Sequence, residues 1–72
     1  MSEKMNPQNK VSPTDTGRRV TFQFVLPNGH SNEVVGTFEY WDQEANAYMV
    51  LDRAGELRRV NARDVRAGRI VS

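Results

Sequence analysis

Cysteine is absent from this 72-residue chain, and histidine occurs once, at His30. Without thiols or a second imidazole, neither a disulfide framework nor a Cys/His zinc site can form, and these are the two staples on which many small domains depend. No cofactor or metal is therefore expected, and the lack of cysteine suits a reducing, cytoplasmic location. Long apolar runs are missing as well. No stretch approaches the roughly 20 residues that span a bilayer, and the N-terminus has no apolar segment of the signal-peptide type, so no membrane association is expected. Net charge is only +1, which removes the basic excess that makes nucleic acid the default partner. A chain this short makes one domain with one core, close to the lower limit of independent stability.

Residues 1–16 (MSEKMNPQNKVSPTDT) are polar, hold two of the three prolines and show no apolar period. Such a segment cannot bury enough surface to offset its ordering entropy, and it is expected to be a flexible tail. The domain is expected over residues 17–72. There Val20, Phe22, Phe24 and Leu26 alternate with Thr21, Gln23 and Val25, the period of a half-buried strand. Pro27-Asn28-Gly29 supplies turn chemistry. A second strand is expected over 32–41, with Val34, Gly36, Phe38 and Tyr40 on one face and Val35, Thr37, Glu39 and Trp41 on the other. Gly36 in mid-strand implies a sharp bend or a close backbone approach. Further strands are expected over 47–51, 56–60 and 66–71, with turns at 42–46 and 52–55. Residues 61–65 are too short for an independent α-helix and read as a single 3₁₀ turn. Residues 60–68 also admit two helical turns ended by Gly68. The pattern as a whole predicts an all-β domain, a small five-stranded antiparallel barrel with a 3₁₀ turn before the last strand.

A family resemblance rests on these same positions. Gly17-Arg18-Arg19-Val20, Leu26-Pro27-Asn28-Gly29, Val35-Gly36, Gly55-Glu56 and Asp64-Val65-Arg66-Ala67-Gly68-Arg69 together resemble the small SH3-like module at the N-terminus of some actinobacterial GNAT-type acetyltransferases. Related short stand-alone actinobacterial proteins are similar too. The likeness spans residues 17–71 and implies an SH3-like barrel with the 3₁₀ turn between its fourth and fifth strands. It falls on turn and strand positions, and the glycine-rich loop that holds the acetyl-CoA pyrophosphate has no counterpart here. The resemblance therefore transfers no catalytic residue.

Nothing in the residues assembles a reaction centre, and the chain is not expected to be an enzyme. His30 follows a turn and reads as a solvated loop residue. The neighbouring Ser31 lacks an oriented base and an oxyanion hole. Asp42 and Glu44 fall in a polar loop with no apolar pocket to raise a carboxyl pKa.

Binding is better represented. Trp41, on the face opposite Phe38 by simple alternation, is the first candidate contact residue, with Tyr40 and Tyr48 divided between core and an aromatic surface for peptides. Charge is uneven along the chain. Residues 30–52 carry Glu33, Glu39, Asp42, Glu44 and Asp52 and no Lys or Arg, whereas residues 53–72 carry six arginines against Glu56 and Asp64. Either acidic and basic strands lie side by side and pair across the sheet, or Arg58, Arg59, Arg63, Arg66 and Arg69 build a basic face. A protein partner is the leading expectation. A small nucleic-acid-binding barrel using those arginines is the alternative, and the oligomeric state expected is a monomer or weak homodimer.

Overall fold

A computed structural model describes residues 8–71. Five antiparallel strands make one sheet: β1 (Arg19–Val25), β2 (Ser31–Asp42), β3 (Ala47–Asp52), β4 (Leu57–Asn61) and β5 (Val65–Ile70). A lone 3₁₀ turn, Ala62–Asp64, joins β4 to β5, so the helical alternative for residues 60–68 is not adopted. The strand order is β4-β3-β2-β1-β5. No ladder joins β4 to β5, and the sheet is not closed.

The twelve-residue strand β2 serves two halves of the sheet. Its first part pairs with β1, from Val25↔Ser31 to Arg19↔Thr37. Its second part pairs with β3, from Gly36↔Asp52 to Asp42↔Ala47. Gly36 belongs to both registers, and the space there explains why no side chain is present. A Cβ would collide with the Leu51 carbonyl oxygen and lie 2.9 Å from Leu51 C and 3.0 Å from Asp52 Cα. The bend expected from the sequence is thus a close passage of β3's backbone over β2.

Phe22, Phe38, Val20, Val50 and Val60 are fully buried, and Val11, Phe24, Val34, Tyr48 and Val65 complete the core. Tyr48 is its hub, with ring centroids 4.5 Å from Phe22 and 5.3 Å from Phe38. Gly68 lies opposite Phe22 across the β1–β5 ladder. An added Cβ there would sit 2.7 Å from Asn9 Oδ1 and 2.8 Å from two ring carbons of Phe22, so the ring and the Asn9 amide pack where a side chain would otherwise stand.

Two bulges change which side chains face the core. In the β2–β3 ladder the register moves from Phe38↔Val50 to Tyr40↔Met49, which leaves Glu39 as an extra residue on β2. One inserted residue reverses the facing of all that follow it. Tyr40 is turned out to solvent, 49% exposed, and Trp41 is turned inward against Tyr48. This is the reverse of the faces expected from unbroken alternation. On β5, Phe24↔Val65 and Gln23↔Ala67 are consecutive pairs, so Arg66 is the extra residue there.

The first seven residues of the expected tail lie outside the described residues. Within the remainder of that segment, residues 8–11 pack on the sheet. The Gly68 N–H donates to the Gln8 carbonyl at 3.0 Å, and the Lys10 N–H donates to the Gly68 carbonyl at 2.8 Å, which places Asn9 parallel to β5. Val11 is buried, and its carbonyl accepts the Tyr48 hydroxyl at 2.9 Å. Tyr48 Oη in turn accepts Asn9 Nδ2 at 3.2 Å. Backbone bonds to a strand edge and one tyrosine hydroxyl hold this segment, and neither leaves a trace in hydropathy.

Candidate interaction surface

The two halves of the sheet have different outer faces. On β1 the outward residues are Thr21 and Gln23, flanked by Val35 and Glu33 of β2 and by Ala67 and Arg69 of β5. Apart from Val35 and Ala67, that is the polar outer face a half-buried antiparallel sheet is expected to show. On β2–β3–β4 the outward rows are Thr37, Leu51 and Leu57, then Tyr40, Met49 and Arg59. Leu51 and Leu57 are direct cross-strand partners, as are Tyr40 and Met49, while Met49 and Leu51 stand two residues apart on β3, roughly 7 Å along the strand. The four apolar side chains are therefore contiguous. Tyr40, Leu51 and Leu57 are 49%, 37% and 47% exposed, whereas Met49 between them is half-buried.

This surface differs in composition from the one expected. Trp41 is half-buried and packs against the core, its ring edge-on to Tyr48 at 5.0 Å, and Tyr48 is buried. Of the three candidate aromatics, Tyr40 is the one in solvent. Met49, Leu51 and Leu57 did not figure among the candidates. A usable signal was present: folding the chain about the 52–56 turn sets Leu51 opposite Leu57, with Tyr48 and Val50 on the other face.

The arginines are divided among several places. Arg58 lies across from Val50 and reaches back to Asp52, Nη1 to Oδ2 at 3.3 Å. Arg59 and Arg63 line one groove with Ala45, Asn46 and Asn61. Arg66, on the β5 bulge, lines a second with Phe24, Asn32 and Glu33. Arg69 lines a third with Lys10, Thr21 and Glu33. Pairing of acidic with basic strands also takes a different form from that expected. The acidic strand β2 neighbours β1 and β3, whereas the arginines lie on β4 and β5, so Arg58–Asp52 is a bridge within the β3–β4 hairpin.

Asp52 organises that hairpin. Its Oδ1 accepts the Glu56 N–H at 2.9 Å and the Ala54 N–H at 3.0 Å, and the Gly55 N–H donates to its carbonyl at 3.0 Å. Gly55 follows with φ of 84°, a conformation that closes such turns readily only with glycine. The Glu56 N–H, aided by Arg58 and Ala54 against partial desolvation, holds the Asp52 carboxyl below the ordinary carboxylate range. Because the folded value is the lower one, the stabilisation is complete above the unfolded pKa of about 3.9 and is lost as pH falls through the folded value. Thermal midpoints recorded between pH 2 and 6 are expected to drop at the acid end, and D52N should show a shallower drop. Equal slopes in the two proteins would assign the acid sensitivity to other carboxyls.

His30 and Ser31 are exposed at the β1–β2 turn, where the His30 N–H donates to Asn28 Oδ1 at 3.0 Å. Asp42 Oδ1 accepts the Ala45 N–H at 3.2 Å and so shapes the β2–β3 loop. Among the described residues, no group of three or more His, Asp or Glu is placed to hold a metal ion, and no helix is long and apolar enough to cross a membrane. Comparison with protein-family models, curated proteins and solved structures finds no match to this chain.

Proposed function

We propose that this chain is a non-catalytic binding module that docks a protein partner on the outer face of β2–β3–β4. The observation that carries this reading is the contiguous group Tyr40, Met49, Leu51 and Leu57, present on one half of a sheet whose other half has a mainly polar outer face with no large exposed apolar side chain. The inner face already fills the core, so these side chains are surplus to folding. Contiguous exposed apolar surface of this kind marks interaction sites more often than scattered single residues do, and Tyr and Met are enriched at protein interfaces. The strand order and the 3₁₀ turn between β4 and β5 support reading the domain as an SH3-like barrel left open between those strands. That reading is in keeping with the module that accompanies acetyltransferases. Under it the chain is an accessory or adaptor element whose partner carries the chemistry.

The test compares proteins retained from a lysate of the source cells by the immobilised chain, by the double variant Y40S/L57S, and by T21S/Q23S on the polar half. A partner kept by wild type and by T21S/Q23S, and lost with Y40S/L57S while circular dichroism is unchanged, supports the reading. Equal loss from both variants refutes it. The nucleic-acid alternative draws on Arg59 and Arg63, which share one groove. Titration with short single- and double-stranded oligonucleotides separates the two readings, because binding to phosphates weakens linearly in log salt and an apolar face does not respond in that way.

A further inference from the structure

We propose that the open edge of β4 takes up an extended, acidic segment of a protein partner as an additional strand of the sheet. This deepens the docking-face reading above and rests on it.

The sheet has two edges, and the described residues cover only that of β5. Gln8 and Lys10 bond to Gly68 along β5, whereas the backbone of Leu57 and Arg59 makes no bond outside the ladder with β3 among the described residues. The direction of β4's free groups follows from the bonds that bracket its ladder. The Asp52 N–H donates to the Glu56 carbonyl at 2.9 Å, and the Ala62 N–H donates to the Asn46 carbonyl at 3.0 Å. Antiparallel pairs alternate between hydrogen-bonded and non-hydrogen-bonded. With Asp52/Glu56 and Asn46/Ala62 bonded, Val50/Arg58 and Tyr48/Val60 are the bonded pairs between them. The N–H and C=O groups of Leu57 and Arg59, and the Asn61 N–H, consequently point away from the sheet, while the Asn61 carbonyl is taken up by the 3₁₀ turn it caps. The side chains of these three residues stand on the outer face, so one run of residues offers free backbone groups and part of the docking face together.

Charge selects the occupant. Strand β4 carries Arg58 and Arg59 and no acidic residue. Arg58 is engaged by Asp52. Arg59 and Arg63, in their common groove, have no carboxylate partner among the described residues. A second copy of β4 pairing antiparallel about Arg59 would set Arg59 against its own counterpart, an arrangement of the kind that keeps natural edges apart. An incoming strand with glutamate on its outer face meets the two guanidinium groups, and its apolar alternate residues lie beside Val60 at the rim of the core. Strand addition of this type takes affinity from main-chain bonds and selectivity from alternate side chains.

The probe is a capped seven-residue peptide alternating glutamate and valine, added to the ¹⁵N-labelled full chain. Two control peptides carry lysine for glutamate or N-methylated amides at every residue. The expected result is slowed amide exchange at Leu57, Arg59 and Asn61 with the glutamate peptide, by about tenfold or more, and no change with either control. R59E should weaken the glutamate peptide by about tenfold and admit the lysine peptide. Protection that appears equally with the lysine peptide overturns the charge assignment. Shifts at Tyr40 and Leu51 without protection along β4 overturn strand addition and leave the docking face standing. Absence of any response at millimolar glutamate peptide, in a chain that still retains its partner through Tyr40 and Leu57, also overturns the edge proposal alone.

Discussion

Alanine in place of Gly36 is expected to remove more than half of the domain's stability. The added Cβ points at the Leu51 carbonyl, and main chain lies close on that side at Leu51 and Asp52. Backbone cannot step aside as a side-chain tip can. Relief requires β2 and β3 to separate at the residue where β2 passes from pairing with β1 to pairing with β3. Overpacking of a well-filled site costs about 1–3 kcal/mol and more when backbone must move, so a loss of about 3 kcal/mol or more is expected from a domain whose total stability is on the order of 5 kcal/mol. Circular dichroism against temperature should show a broad, early transition or none, while Q23A on the polar outer face should stay within about 0.5 kcal/mol of wild type. A wild-type midpoint for G36A would mean that the two strands do not approach so closely.

Phe22→Ala is the second large effect, at about 3–5 kcal/mol. Phe22 is fully buried, stacks on Tyr48 and covers Gly68. Its loss opens a cavity beneath the hub of the core and removes the ring that fills the space above the glycine. The converse substitution, Gly68→Ala, presses a methyl group onto that ring and onto Asn9 Oδ1 and should cost about 1–3 kcal/mol. Since both act at one contact, their effects should not add: in an F22L background, G68A should cost clearly less than in wild type. Urea denaturation of the four proteins measures the coupling. Strict additivity would mean that Phe22 and Gly68 do not constrain each other.

The strands and turns of this protein were legible in the sequence because each is encoded locally. Val20, Phe22 and Phe24 alternate cleanly, Asp52 and Gly55 carry the hairpin turn, and residues 61–65 are too short for an independent α-helix. What could not be read depended on partners distant in the chain. No residue near Glu39 signals a bulge, yet that one insertion exchanges the roles of Tyr40 and Trp41. Val11 is a single apolar residue in a polar run, and its burial depends on a hydroxyl 37 residues away and on the exposed edge of β5. The arginines looked like one group along the chain, and the strand order separates them. Leu51 and Leu57 went unnoticed because alternation identifies the core face and passes over apolar residues on the other one.

The most direct test of the docking face places a photoreactive benzoylphenylalanine at Tyr40 in one variant and at Gln23 in another, expressed as the full chain in the source cells. After irradiation, a discrete protein adduct is expected from position 40 and none from position 23, and adding L57S to the position-40 variant should abolish it. Equal adducts from both positions, or an adduct from position 23 alone, would contradict a partner seated on β2–β3–β4.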